Sequence, residues 1–401
     1  MRTVESWMEA AEAARALRVT RPTLYAYVSR GYIRSESKPG SPRQRRYSRD
    51  DVDRLRRRTE ERRDPDKVAA HALQWGLPIL ESSITLIAGD TLYYRGHDAV
   101  ELARSRSVAE VASLIWTGRF DAPVPTSHGS SSRASVSGKK LPFMALAQSA
   151  LAVASAHDPL AFDLRPESVA ITGSRILYLL TLAVAGSRAL VATIDDSLAR
   201  AWQVLRGGDE VLRAALILCA DHELNVSAFT ARCVASSGSS PYAVVLGGLA
   251  ALEGTRHGGM TIRVESMLDA MRRERNVRAA LAERLRRGES IDGFGHRLYR
   301  NGDPRARALL SLLRERYPRS SELRFALDLA DTVFSMIREA PTLDFALATV
   351  ARVLGLPPQS GLTLFAIGRT IGWIGHAIEQ YATGQIIRPR AKYVGPVPAT
   401  A

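Results

Sequence analysis

The chain has 401 residues, enough for two or three domains around a sizeable core, and its 46% hydrophobic content is ordinary for a soluble protein. Its longest apolar runs, around Phe143 to Ala156 and Ile176 to Ala185, fall short of the roughly 18 residues a bilayer span needs. Cys219 and Cys233 sit in apolar surroundings and no basic-then-apolar leader is visible, so neither a membrane protein nor a disulfide framework is expected, and the expected compartment is the cytoplasm. The net charge of +14 is uneven: residues 1–63 hold 17 basic against 9 acidic side chains, so the front end carries more than half of the excess and suits a polyanion.

Glu9 to Leu17 reads as a short helix with Ala and Leu on one face. Val19-Thr20 breaks it, and Arg21-Pro22 opens a second helix through Tyr27 that ends at Gly31. From Arg34 to Arg49 the chain carries Lys38, Arg43, Arg45, Arg46 and Arg49, with Pro39, Gly40 and Pro42 marking a loop or hairpin. Ser48 then opens an Arg-rich helix through Arg58. Helix, tight turn, helix is the arrangement of a DNA reader. The polar, Pro-containing stretch 64–68 is the expected linker, dividing a domain over 1–63 from one over 69–401.

In the second domain, Ile84 to Gly96 places β-forming residues on both sides of Gly89-Asp90, which predicts a hairpin. Beyond it a 3.6-residue period predicts helices over 98–117, 143–156, 170–186, 189–206, 208–219, 225–237, 241–253, 263–286, 304–317, 321–339, 344–354 and 361–383. The fold class is therefore mostly α. The tract 122–140, rich in Ser, Pro and Gly, predicts a loop or disordered insert.

The chemistry concentrates around Gly293-Phe294-Gly295-His296. Two glycines allow φ > 0 or a close backbone approach, so the imidazole is offered on a tight turn. Asp303 then caps a helix opened by Pro304, with Leu309, Leu310, Leu312 and Leu313 on its apolar side. Arg305 lies in the first turn of that helix, where free N–H groups already favour an anion. His257 precedes Gly258-Gly259 on a bend after a helix capped by Ser240. His222 stands ahead of Asn225 and Ser227. Asp344 sits between Leu343 and Phe345 after Pro341; an apolar frame raises a carboxyl pKa toward the range of a base, and a helix N-cap is the alternative role. Arg369 stands among apolar residues in a helix that ends at Gly384, so it needs an anionic partner, and Arg388 lies in extended chain before Pro389. No Cys, His or Asp spacing suggests a metal site.

These blocks resemble the citrate synthase family (citrate or 2-methylcitrate synthase-like): "GFGHRLYRNGDPR", "LYYRGHDAVELARSRSVAEVASLIWTGRF", "DHELNVSAFTARCVASSGSSPYAVVLGGLAALEGTRHGG", "APTLDFALA" and "LFAIGRTIGWIGHAIEQY" run in family order over about residues 80–396. The segment "AAEAARALRVTRPTLYAYVSRGYIRSE" with "RRYSRDDVDRL" resembles the winged helix-turn-helix of the MerR and excisionase families. The resemblance implies a large helical subdomain over about 69–260 and 356–401 and a small one over about 261–355. It implies condensation of acetyl-CoA, or a short acyl-CoA, with oxaloacetate, then thioester hydrolysis. Asp344 would remove the methyl proton, His257 polarise the thioester carbonyl and His296 serve the keto oxygen. His222 would orient the acceptor. Arg305, Arg369 and Arg388 would hold its carboxylates, Arg388 reaching across a homodimer. Arg300, Gly293 and Gly295 would meet coenzyme A, which comes and goes as substrate, with no permanent cofactor. Arg21, Thr23 and Tyr25 would face a DNA groove, and Arg43, Arg45 and Arg46 would hold phosphates. The family usually has Ala-Asn after its His-Gly-Gly, whereas this chain has Met260-Thr261. The alternative from a different class is a DNA-binding regulator whose synthase-like body senses CoA esters or dicarboxylates.

Overall fold

The protein is described by a computed structural model over residues 7–17, 19–38, 41–53, 55, 80–121, 141–191, 193–205, 207–299, 301–391 and 393–396. It divides into two units, Met1–Glu81 and Ser82–Ala401.

In the first unit, β1 (Trp7–Glu9) leads into α1 (Ala10–Leu17) and α2 (Arg21–Ser29), followed by β2 (Ser35–Lys38) and β3 (Ser41–Ser48). The basic stretch is the hairpin β2–β3, and β1 pairs with the other side of β3, giving the antiparallel order β1-β3-β2. Strand β1 carries no sequence signal because three residues are too few to show alternation. Met8, Ala13, Leu17, Leu24, Ile33, Tyr47 and Val52 form a small separate core. Residues 49–53 are helical; the rest of the expected Arg-rich helix to Arg58 and the 64–68 stretch lie outside the described residues.

The second unit opens with a three-stranded antiparallel sheet, β4 (Thr85–Ala88), β5 (Thr91–Tyr94) and β6 (His97–Asp98), turning at Gly89-Asp90 with Gly89 at φ +61°. The helices are α3 (Ala99–Ser105), α4 (Val108–Thr117), α5 (Phe143–His157), α6 (Pro166–Ala189), α7 (Ile194–Ala201), α8 (Gly208–Cys219), α9 (Val226–Ser236), α10 (Pro241–Leu252), α11 (Met260–Arg273), α12 (Val277–Arg286), α13 (Pro304–Arg316), α14 (Ser321–Ile337), α15 (Leu343–Val353) and α16 (Ser360–Thr383). The fold class is mostly α, as the periodicity predicts.

Three predicted helices are altered. The 98–117 segment breaks where Ser107 and Glu110 form a reciprocal capping box, and 263–286 breaks where Asn276 Oδ1 accepts from Ala279 N at 3.0 Å. The 189–206 segment shortens to α7, because Thr193 caps Asp196 N. The tract 122–140 lies outside the described residues.

Helix α16 is buried almost throughout and packs against α4, α6, α8, α9, α10 and α15. Small residues let it approach the α8 end closely: Gly372 N donates to Ala220 O at 3.0 Å, and a Cβ on Gly372 would lie 2.3 Å from that oxygen. The contact sets the depth of Arg369, three residues earlier. Among the described residues one helix, over Pro166–Gly186, is long and apolar enough to cross a bilayer, longer than the apolar runs suggest, but it packs against α5, α7 and α16, and Gly173 admits Ile374 and Trp116 against its backbone.

Candidate active site

The site grows from Asp303, the N-cap of α13. Its Oδ1 accepts from Arg305 N at 3.0 Å and Arg305 Nε at 2.9 Å, and its Oδ2 from Arg305 Nη2 at 2.8 Å. Burial pushes the Asp303 carboxyl up, but the adjacent guanidinium outweighs it and holds the group below the usual carboxylate range. Arg305 is 4% exposed; burial works against its charge, and Asp303 more than restores it.

Gly293 and Gly295 both have positive φ, +86° and +79°. A side chain at Gly293 would strike Val264 and Phe345, and one at Gly295 would strike the Glu339 carboxylate, so both positions require glycine. This segment is stitched to the approach of α15: Gly295 N donates to Ala340 O at 3.0 Å and Thr342 N to Gly293 O at 2.8 Å. The backbone just ahead of His296 therefore runs beside the segment that leads into Asp344. His296 Nδ1 accepts from Leu298 N at 3.2 Å, so the neutral ring carries its proton on Nε2. Burial, then Arg305, lower the His296 pKa and keep the ring neutral.

His222 and His296 stack edge to face with centroids 5.3 Å apart, and His222 Nε2 is paired with Tyr299 Oη at 2.9 Å. Burial holds the His222 pKa well below its ordinary value, and Arg305, Arg369, His296 and His257 all add to the effect, so these five groups share one electrostatic neighbourhood. His257 sits on the turn between α10 and α11. Its Nε2 lies 2.8 Å from Ser227 Oγ, which receives Trp373 Nε1–H at 3.1 Å. Burial pushes the His257 pKa down to about 3, Arg369 assisting.

Asp344 is the second residue of α15. It is not the N-cap: Thr342 holds that position, and the first amide of the helix, Leu343 N, is capped instead by Asp303 Oδ2 at 3.1 Å. Asp344 Oδ1 accepts from Thr261 Oγ1 at 2.8 Å. Burial raises the Asp344 pKa to about 6 against the opposing pull of Thr261 and Arg305. Arg369 is 1% exposed; its Nε donates to Cys219 O at 2.6 Å, its guanidinium lies 4.9 Å from the Phe365 ring, and its Nη2 has no hydrogen-bond partner among the described residues. Burial lowers its pKa and Asp221 pulls the other way. Such a buried, unpaired guanidinium nitrogen is a socket for an anion.

The structure thus brings together His222, His257, His296, Asp344, Arg305 and Arg369. Arg388 is exposed after α16, with no described contact to the cluster. Arg300 and the side chain of Arg43 lie outside the described residues. In the first unit, Arg21 and Arg45 are exposed and Tyr25 is half exposed. The Thr23 hydroxyl is engaged with Thr20 at 2.9 Å, and Arg46 pairs with Glu36 at 2.7 Å beneath Trp7. Four further site residues, Ser227, Thr261, Tyr299 and Trp373, carry little signal in sequence. Only Tyr299 could have been suspected, three residues after His296 in the same glycine-led run. Among the described residues, no three His, Cys, Asp or Glu side chains gather as metal ligands would.

Neutral imidazoles, buried arginines and a carboxylate of raised pKa, set around a central buried helix in a mostly helical body, define a helical condensing enzyme. The family model described as "Citrate synthase, C-terminal domain" matches residues 72–390, and one described as "Helix-turn-helix domain" matches residues 7–59. Citrate synthase 2 of Bacillus subtilis is 30% identical over 353 residues, covering 80% of this chain and 95% of its own. The 2-methylcitrate synthase of Shewanella oneidensis is 28% identical, covering 78% and 91%. The crystal structure of citrate synthase from Thermotoga maritima MSB8 matches with a TM-score of 0.69 at 26% identity, covering 81% of this chain and 95% of that one. The chain belongs to the citrate synthase family, and is an acyltransferase of that type with a helix-turn-helix domain at its N-terminal end.

Proposed function

We propose that the chain condenses acetyl-CoA, or a slightly longer acyl-CoA, with oxaloacetate. Asp344 takes a proton from the thioester methyl group as His257 donates to the thioester carbonyl, forming the enol. The enol carbon attacks the keto carbon of oxaloacetate as the enol oxygen returns its proton to His257, and His296 gives its Nε2 proton to the keto oxygen, to be restored by the proton that Asp344 took. Water then cleaves the thioester, releasing the coenzyme A thiol. Asn225 Oδ1 accepts from two backbone amides, Ser227 N and Ala228 N, at 3.1 Å each and from Ser227 Oγ at 2.8 Å, and the same hydroxyl oxygen lies 2.8 Å from His257 Nε2. His257 serves the thioester through Nδ1–H once the Ser227 hydroxyl turns its proton from Asn225 Oδ1 to His257 Nε2.

Arg305 and Arg369 receive the carboxylates of oxaloacetate, and His222 orients it. The reading carries further parts: Arg388 of the partner subunit completing the cradle in a homodimer, Arg300 with Gly293 and Gly295 on coenzyme A, no permanent cofactor, a cytoplasmic location, and subdomains divided near 260 and 356. The observation that carries the reading is the joint occurrence of a carboxylate with pKa about 6, two neutral imidazoles and an unpaired buried Arg369 nitrogen in one neighbourhood. Free-thiol release is measured with oxaloacetate and acetyl-, propionyl- or butyryl-CoA. Release with at least one thioester is expected, and its absence with all three overturns the reading.

A second reading is favoured by the helix-turn-helix match and the basic hairpin: residues 1–63 bind DNA, with the body as sensor of CoA esters or dicarboxylates. Full chain retained on duplex DNA, with affinity falling steeply as salt rises and lost on Arg21→Ala with Arg45→Ala, supports it. Affinity unaffected by those changes removes it.

A further inference from the structure

Thr261 stands four residues after His257 in the first turn of α11 and is fully buried. One branch of this side chain, Oγ1, donates to Asp344 Oδ1 at 2.8 Å. The other branch is confined as well: a Cβ at Gly361 would lie 2.5 Å from Thr261 Cγ2, so the methyl occupies space that only glycine at 361 leaves open. β-Branched side chains are stiff at χ1. With the methyl seated on Gly361, the hydroxyl has one direction left, toward Asp344.

Burial and the hydroxyl act on Asp344 in opposite senses. Loss of water favours the neutral acid, whereas a donated hydrogen bond favours the carboxylate. Thr261 also takes up one of the two carboxylate oxygens, which leaves the other to receive a proton. We infer that Thr261, locked by Gly361, is a positioning residue that turns Asp344 Oδ2 toward the substrate methyl group and keeps the carboxylate ionised at working pH. The inference rests on the reading of Asp344 as the base. It assigns a task to the position where this chain departs from the Ala-Asn that its family resemblance leads one to expect.

The test follows thiol release from acetyl-CoA and oxaloacetate between pH 5 and 9 in the full-length protein and in Thr261→Val, Thr261→Ser, Gly361→Ala and Asp344→Asn. Valine keeps the shape and removes the hydroxyl. It is expected to move the acidic limb of kcat upward by about one pH unit and to lower kcat about tenfold below that limb, with the oxaloacetate KM within about twofold. Serine keeps the donor but loses the methyl that fixes its direction, and is expected to move the limb by less than half of the valine shift. Gly361→Ala displaces the methyl and is expected to move the limb in the valine direction. It decides the matter should Thr261→Val not fold. An unmoved limb in valine and alanine, or equal shifts in valine and serine, overturns the inference. Asp344→Asn keeps the two claims separate: retained turnover there defeats the base assignment itself, whereas lost turnover with an unmoved limb in the valine variant defeats only the role of Thr261.

Discussion

Asp303 Oδ2 accepts from the backbone N–H of Leu343 at 3.1 Å while the same atom holds Arg305 Nη2 at 2.8 Å. One carboxylate thereby closes the first turns of α13 and α15, and the helix bearing an oxaloacetate-binding candidate is tied to the helix bearing the candidate base. Removing that charge leaves a buried guanidinium unpaired. Asp303→Asn is expected to cost about 3 kcal/mol in urea unfolding at pH 7 and to raise the oxaloacetate KM at least about tenfold. Because the folded-state pKa of Asp303 is depressed, its contribution is present above the unfolded pKa near 4 and is lost as pH falls through the folded value. The penalty of the variant should therefore shrink at pH 3; an equal penalty at both pH values would show that the charge is not its origin.

Asp344 behaves in the opposite way. Its folded-state pKa, about 6, lies above the ordinary 3.8, so the folded protein holds this proton more tightly than the unfolded chain, and stability is lost as pH rises between those values. Asp344→Asn is expected to abolish turnover while raising stability at pH 8 by about 2 kcal/mol, a cost of keeping a carboxylate out of water. Thermal unfolding at pH 8 and pH 4 reads the difference, which should vanish at the lower pH.

His257 is held neutral by burial, with a pKa of about 3, so it works as a neutral donor. Its ring proton resonances should stay constant in NMR between pH 5 and 8. A titration near 6.5 would mean that water reaches the ring. His257→Ala should lower kcat by about 100-fold to 1,000-fold, the usual loss for one oxyanion donor. The depressed pKa also means that this residue's share of stability fades as pH falls below about 6.5, where the unfolded chain takes up the proton first.

Arg369 offers a buried Nη2 with no protein acceptor described. Oxaloacetate should raise the Tm of the parent protein, and Arg369→Met should remove most of that rise and weaken oxaloacetate about 100-fold, as loss of a charge-assisted pair predicts. Differential scanning fluorimetry with and without oxaloacetate measures it; an undiminished rise would place the carboxylate elsewhere.

Most helices are legible from spacing alone, because an amphipathic period and its end signals are local: Asp303 with Pro304, Ser240 with Pro241 and Gly384 mark ends that the structure keeps. The breaks at Ser107 and Asn276 are local too. Ser107 with Glu110 is a capping signal, but it lies inside a continuous apolar period that outweighs it when the segment is scanned for helix face.

Residue order and spacing were enough to read the mostly helical class, the hairpin at Gly89-Asp90, the cap at Asp303 and the set of imidazoles, arginines and the carboxylate worth suspecting. The partner that tunes each of them came from long-range packing: Thr261 meets Asp344 across 83 positions, Arg369 meets the Cys219 carbonyl across 150, and Leu343 is capped from another helix. The reason is physical. A period or a cap is fixed by neighbours within one or two turns, whereas the pKa of a buried group depends on which distant helices exclude water from it and which dipoles they bring in its place.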